Sequence, residues 1–311
     1  MNRKLSIKRL FSIGFFSLNL VSMNSNVSSS LQASQASPQD EVRIPEISTP
    51  KTEKMIDVGG RRLHGCVYGS GSPTVVLVSG LGAPQAYWNP VVPALATQAT
   101  VVTYDRAGVG KSEIGDLPAH GEQSAKDLQV LLEKMAVPGP YIMVGHSYGG
   151  SVARLFAAMH PDEMGGLILE ETQHEDVLDE MRKILKGKDS EAFDQFLAGS
   201  FGEPENPKTE IDYRNVTREQ VKKSKPLPPV PLVILMCPER ARTMAPMFSA
   251  GAIEEMVKLD LALMNKLAAS VPGGKLMPVE GSGHTVHVDK PEALIAPVVE
   301  MIQRVREKKE N

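Results

Sequence analysis

This chain of 311 residues has few cysteines, few aromatic residues and little net charge. Its two cysteines, Cys66 and Cys237, exclude a disulfide framework and every multi-cysteine zinc or iron–sulfur pattern. The formal net charge is −3, so a general affinity for nucleic acid or for an anionic membrane surface is not indicated. The remaining composition, 41% hydrophobic and 23% charged, is that of a globular protein with a sizeable core.

Acidic residues are absent from positions 1–36, which begin with four basic side chains. An apolar stretch from Leu10 to Met23 follows, and then a run rich in serine, asparagine and glutamine. This order is typical of a secretory signal peptide, with cleavage after Ala36 or Ala33. The apolar stretch is about 14 residues long and is interrupted by polar residues, so it falls short of the ~20 that span a membrane. We therefore predict an exported (periplasmic or secreted) mature chain without a stable membrane span.

The main domain is predicted at residues 55–311, after a linker rich in proline and charge at 37–54. Continuous apolar runs such as Thr74–Val78 are typical of strands buried on both faces, as in a parallel sheet. Stretches with helical spacing separate these runs. This alternation predicts an α/β protein with a mostly parallel sheet and helices on both faces. The alternation breaks at 172–229, which we interpret as a helical cap inserted between two strands.

A candidate nucleophile lies in the sequence Gly145-His146-Ser147-Tyr148-Gly149, between a buried strand and a helical pattern. This is the G-x-S-x-G pattern in the strand–turn–helix setting that lifts a serine above the end of a strand. The sharp turn needs glycine on both flanks, because a side chain there would clash with the neighbouring strand or helix. Ser147 is therefore the predicted nucleophile, and the alternative is a glycine-rich turn with an incidental serine.

Four motifs make the chain resemble the α/β-hydrolase superfamily over about residues 55–305, apart from the cap. They are Ser79–Gly82 after an apolar strand, Asp105–Gly110, Gly145–Gly149 and Gly281–Pro291. The resemblance implies an eight-stranded sheet and catalysis without cofactor or metal. The tracts Gly139–Gly150 and Gly165–Leu169 are similar to a branch of small, often exported serine hydrolases or esterases. Ser79 departs from the family, in which histidine is common at this position.

The predicted base is a histidine, because a serine hydroxyl is a poor nucleophile until a base accepts its proton. The family order of serine, acid and histidine calls for a histidine after the last strand, where Gly281-Ser282-Gly283-His284 stands. His284 is therefore the predicted base and His287 the alternative. The resemblance also implies an oxyanion hole formed by the backbone N–H groups of Leu81 and Tyr148.

The acid that orients the histidine is the member of the triad that the sequence determines least. The family carries it after one of two strands. After the strand predicted at Leu232–Met236 the chain offers Glu239, and after the preceding strand it offers Glu170 and Glu171. Relatives with the acid at the earlier place put it five residues after a glycine equivalent to Gly166. The resemblance thus favours Glu171, with Glu239 and Glu170 as alternatives.

These residues predict a cofactor-independent serine hydrolase that cleaves a carboxylic ester, or a related acyl bond, of a small molecule through an acyl-enzyme on Ser147. Haloalkane dehalogenases and epoxide hydrolases resemble the chain in layout but need aspartate as nucleophile, so Ser147 argues against both. Peptidase, lactonase, thioesterase, lipase and acyltransferase activities stay open, as does the oligomeric state. A second hypothesis is a catalytically silent protein of the same fold that binds a ligand or partner.

Overall fold

The described part of the chain, in this computed structural model, is residues 50–201 and 208–310. The predicted signal peptide at 1–36 and most of the predicted linker lie outside it. The first strand begins at Thr52, within the last residues of the predicted linker. The strands of the described residues are β1 (Thr52–Asp57), β2 (Arg62–Tyr68), β3 (Thr74–Val78), β4 (Thr100–Tyr104), β5 (Tyr141–His146), β6 (Met164–Glu170), β7 (Leu232–Met236) and β8 (Lys275–Pro278).

These strands form one eight-stranded sheet in the order β1-β2-β4-β3-β5-β6-β7-β8. β1 pairs antiparallel with β2, and β2 pairs antiparallel with β4. The other neighbours are parallel, with Val76 of β3 in register with Val102 of β4 and with Met143 of β5. The predicted eight-stranded, mostly parallel sheet is confirmed. Its central strand β5 ends directly before Ser147, which places the candidate nucleophile at the carboxyl edge of the sheet.

Helices cover both faces of the sheet, as the sequence predicts. They are α1 (Val92–Ala96), α2 (Gly121–Lys134), α3 (Tyr148–Met159), α4 (Val177–Ile184), α5 (Gly187–Phe201), α6 (Arg214–Lys223), α7 (Ala250–Ala269), α8 (Val286–Asp289) and α9 (Pro291–Glu310). Within residues 50–201 and 208–310, none of these helices combines the length and the apolar character needed to cross a membrane.

The core is divided by the sheet because successive residues of a strand point to opposite faces. In β3, Val76 and Val78 pack with residues of α2 and α3, including Leu128 and Phe156. Their neighbours Val75 and Leu77 pack with Trp88 and with residues of α1 and α9 on the other face. The side chains of Val75, Val76, Leu77 and Val78 are all 0% exposed, which explains why this strand is apolar without alternation.

Three helices, α4, α5 and α6, lie between β6 and β7, in the segment that the sequence assigns to a cap. α4 and α5 join α7 through a separate hydrophobic cluster that includes Met181, Phe193 and Met256. α6 instead contacts α2 and α3, next to the residues that follow the candidate nucleophile. The inserted helices therefore contact the main domain on two sides, through α7 and through the α2–α3 pair.

Candidate active site

Ser147 occupies a strained turn between β5 and α3. Its backbone has φ of 52° and ψ of −120°, a left-handed conformation that a residue with a side chain rarely adopts. Such strain costs on the order of 1–3 kcal/mol and persists only where the surroundings fix it. Here the Ser147 N–H donates to the carbonyl oxygen of Glu170 in β6 (2.8 Å). Strained conformations of this kind concentrate at functional sites, so the geometry favours the nucleophile over an incidental serine.

The two glycines that flank the turn are required by close backbone contacts. A Cβ atom on Gly145 would lie 2.6 Å from the Cα of Gly150, because α3 starts directly against β5. A Cβ atom on Gly149 would overlap the carbonyl oxygen of Val78 in β3. The G-x-S-x-G spacing therefore follows from the packing of α3 against the strands.

His284 and Glu171 are brought together from opposite ends of the second half of the chain. His284 lies between β8 and α8, and its Nδ1 is 3.3 Å from Glu171 Oε2. Glu171 follows β6 with φ of 50° and is fully buried. Its other oxygen, Oε1, accepts a hydrogen bond from the backbone N–H of Cys237, just after β7 (2.5 Å). The carboxylate is thus fixed on one side by the backbone and faces the imidazole on the other.

A buried cation lies next to this carboxylate. Arg240 Nη1 is 3.8 Å from Glu171 Oε2, and the same guanidinium makes a bidentate ion pair with Asp260 of α7 (2.5 and 2.6 Å). Burial raises the pKa of Glu171, and the Arg240 charge opposes that rise. Burial lowers the pKa of His284, and the Arg240 charge acts in the same direction. The imidazole is therefore neutral near pH 7, as a general base must be.

The two alternative acids have other partners. Glu170, at the end of β6, accepts hydrogen bonds from the backbone N–H of His287 (3.0 Å) and from its Nδ1 (2.8 and 3.0 Å). The side chain of Glu239 is 58% exposed and pairs with Arg242. His287, the alternative base, is 1% exposed, and its ring centroid lies 4.2 Å from that of Trp88. The geometry therefore favours Glu171 with His284 over the other combinations.

His146, inside the turn, supports the loop that carries His284. Its Nε2 donates to the backbone carbonyl oxygen of His284 (2.8 Å), and the two ring centroids are 4.8 Å apart. Burial lowers the pKa of His146 to about 4, so this ring is neutral at physiological pH. A neutral imidazole has one N–H, and here it lies on Nε2 and donates to the His284 carbonyl oxygen.

The expected oxyanion donors lie on two elements that meet beside Ser147. Tyr148 is the first residue of α3, so its N–H belongs to the helix-terminal amides that lack an acceptor four residues earlier. Leu81 lies in the loop after β3, directly after Gly80. A Cβ atom on Gly80 would be 3.5 Å from the Ser147 Cβ, which shows how closely this loop approaches the nucleophile.

One group among residues 50–201 and 208–310 has the composition of a metal site. The candidate ligand atoms of Glu53, His64 and Cys66, on β1 and β2, lie within 4.8 Å of one another. However, Lys111 Nζ is 2.8 Å from Glu53 Oε1, and Gln85 Nε2 is 2.7 Å from His64 Nδ1. The candidate ligand atoms of Glu53 and His64 are thus already engaged with other side chains. This group contributes no residue to the Ser147 site.

Buried groups around the site were missed by the sequence analysis. They are the ion pair of Arg240 with Asp260, the ion pair of Arg106 with Glu210, and the Thr217 hydroxyl. Arg106 belongs to the Asp105–Gly110 motif, but the partners of each pair are 20 residues or more apart, so no local motif marks the pairing. Charged residues at these positions look like solvated surface residues until the fold buries them.

Residues 73–250 match the family model of the alpha/beta hydrolase fold. This chain belongs to that family. Among its relatives, the uncharacterized protein YqjL of Bacillus subtilis (strain 168) is 27% identical over 241 residues, which are 74% of this chain and 85% of YqjL. The soluble epoxide hydrolase of Corynebacterium sp. (strain C12) is 33% identical over 146 residues, 46% of this chain and 47% of the relative.

Solved structures agree with the family assignment at the level of the fold. A thermophilic esterase from Thermogutta terrifontis superposes with a TM-score of 0.55 and 18% identity, covering 82% of this chain and 99% of the esterase. The chain spans about half the length of the curated epoxide hydrolase that it matches. The family supports a hydrolytic activity, whereas the bond and the substrate have to be argued from the residues of this chain.

Proposed function

We propose that this protein is a serine hydrolase that cleaves a carboxylic ester, or a related acyl bond, through an acyl-enzyme on Ser147. The observation that carries the proposal is the strained turn at Ser147, with φ of 52°, beside a buried His284–Glu171 pair whose Nδ1–Oε2 distance is 3.3 Å. A serine at this position also distinguishes the chain from family members that use aspartate as nucleophile.

In the proposed reaction, Ser147 Oγ attacks the acyl carbon while His284 Nε2 accepts its proton. Glu171 accepts the Nδ1–H of His284, which keeps the ring proton on Nδ1 so that Nε2 can act as the base, and stabilises the imidazolium that forms. The backbone N–H groups of Leu81 and Tyr148 hold the oxyanion. The tetrahedral intermediate then expels the alkoxide, which takes from His284 the proton that came from Ser147. Water then attacks the acyl-enzyme by the same sequence and releases the acid.

A fluorophosphonate probe tests this proposal in the folded protein. We expect one covalent adduct on the peptide that contains Ser147, and none in the Ser147→Ala variant. The catalytically silent alternative predicts no adduct in the wild type. An adduct on a different residue would contradict the assignment of the nucleophile.

We also propose that the chain is exported. The proposal rests on the basic start and the apolar stretch of residues 1–36. The function does not depend on this location, because the residues of the site all lie in the hydrolase domain.

A further inference from the structure

The loop that carries one oxyanion donor is held by a buried arginine. Arg106 follows β4 and is 2% exposed. Its Nη1 donates to the carbonyl oxygen of Ser79 (2.6 Å), and its Nη2 donates to the carbonyl oxygen of Gly80 (2.6 Å). The Gly80 carbonyl and the Leu81 N–H belong to one planar peptide group, in which they point in opposite directions. Fixing the Gly80 carbonyl therefore fixes the direction of the Leu81 N–H.

The next peptide group is held by a residue of the inserted segment. Glu210 lies just before α6 and is 1% exposed. Its Oε1 accepts the N–H of Gly82 (2.5 Å), and its carboxylate pairs with Arg106 at 2.5 and 2.8 Å. Leu81 is thus flanked by two peptide groups, one held by Arg106 and the other by Glu210. Glu210 also supplies the negative charge that a buried arginine requires.

Tyr148, whose backbone N–H is the second oxyanion donor, contacts the same inserted segment through its side chain. The Tyr148 hydroxyl is 2.9 Å from the Oγ1 of Thr217, which lies in α6 and is 1% exposed. That Oγ1 also accepts the backbone N–H of Gly121, at the start of α2 (2.7 Å). The Arg106 guanidinium lies 5.4 Å from the centre of the Tyr148 ring. The arginine that holds the Leu81 loop is therefore in cation–π contact with the residue that carries the second donor.

We infer that residues 208–223 of the inserted segment position the oxyanion hole, with Glu210 and Thr217 as its positioning residues. Glu210 acts on the Leu81 side and Thr217 on the Tyr148 side. The hole is complete only when this segment is seated, so the segment affects the transition state in addition to any contact with the substrate. This inference rests on the proposed function of Ser147.

Glu210→Gln and Thr217→Val are the variants that test the inference, with the small substrate p-nitrophenyl acetate. Loss of one oxyanion donor costs about 10²–10³ in kcat. Because these variants loosen a donor without removing it, we expect kcat to fall by about 10–10² with KM within about twofold. The affinity for a boronic acid inhibitor, which becomes tetrahedral when Ser147 adds to it, should fall by the same factor as kcat.

Three controls separate positioning from general damage. Thr217→Ser keeps the hydroxyl and should restore kcat. Glu219→Gln, an exposed acid of the same helix that pairs with Arg218 and Lys222, should leave kcat and KM unchanged. Thermal unfolding identifies a variant that has lost its fold. If Glu210→Gln is such a variant, the comparison of kcat between Thr217→Val and Thr217→Ser tests the inference.

The inference is overturned if KM rises while kcat and boronate affinity stay at the wild-type level, since the segment would then only bind substrate. It is also overturned if Thr217→Ser is as slow as Thr217→Val. In both cases the wild type would still label at Ser147 and turn over ester. A wild type without Ser147-dependent turnover would instead refute the proposed function, and this inference with it.

Discussion

Replacing each of three glutamates with glutamine distinguishes the acid of the proposed triad from its neighbours. The structure gives Glu171, Glu170 and Glu239 different partners, so the three changes have different expected effects. Each change removes a negative charge and nearly preserves the shape of the side chain. Differences in activity then report on what each carboxylate contacts.

In Glu171→Gln the surroundings dictate how the amide sits. The Cys237 N–H donates to Oε1, so the amide oxygen must stay there and the amide NH2 must face His284 Nδ1. An NH2 group donates to Nδ1, which moves the histidine proton to Nε2, the atom that should accept the proton of Ser147. Wrong-tautomer replacements in other triads lower kcat by about 10⁴. We expect a loss of about 10³–10⁴, equivalent to about 4–5.5 kcal/mol of activation free energy.

In Glu170→Gln the expected effect is on stability rather than on chemistry. Two donors of His287 lose a charged acceptor that is 0% exposed, which should cost about 1–3 kcal/mol of unfolding free energy. Activity should fall by less than about tenfold. Glu239→Gln removes an exposed partner of Arg242 and should change stability by less than about 0.5 kcal/mol.

The assay is kcat for p-nitrophenyl acetate, together with urea unfolding of each variant. A loss of three orders of magnitude in Glu170→Gln or Glu239→Gln, with Glu171→Gln within tenfold of the wild type, would refute the assignment of Glu171. Retained activity in all three variants would show that none of these three carboxylates orients His284.

Three further predictions concern the base, the strained turn and the N-terminus. Because burial lowers the pKa of His284, the acid limb of the kcat/KM profile should have its midpoint below about 6.5, and a midpoint at or above that value would contradict the neutral, buried base. Ser147→Gly should abolish activity yet raise the unfolding free energy by about 1 kcal/mol in a urea titration, because glycine accepts φ of 52° without strain; a decrease would show that the turn is unstrained. Sequencing of the mature protein should find an N-terminus after Ala33 or Ala36, whereas an intact Met1 on the soluble protein would exclude cleavage.

The fold was predictable from the sequence because its signals are local. Apolar runs such as Thr74–Val78 are 0% exposed beyond their first residue, and a run of this kind has few alternatives to a central parallel strand. The turn at Ser147 was equally local, since the glycines at 145 and 149 answer contacts of the turn itself.

The surroundings of the site were less predictable, because they depend on side chains far apart in the chain. Strand alternation predicts that Glu170 and Glu171 point to opposite faces. Only the fold shows that Glu170 meets His287, which is 117 residues away in the chain, and that Glu171 meets His284, which is 113 residues away. Arg240 follows Glu239 in the sequence, yet one is 4% exposed and the other is at the surface. No periodicity distinguishes them, since the difference arises from the packing of Arg240 against α7.

The central claim is that an acyl group is carried by Ser147, and a rapid-quench experiment with p-nitrophenyl acetate tests it most directly. We predict a burst of p-nitrophenol close to one equivalent per protein when deacylation is the slower step. Mass analysis of the quenched wild-type protein should locate the acetyl group on the peptide that contains Ser147. An acetyl group on another residue, or turnover without any acylated protein under conditions where deacylation limits the rate, would contradict the account.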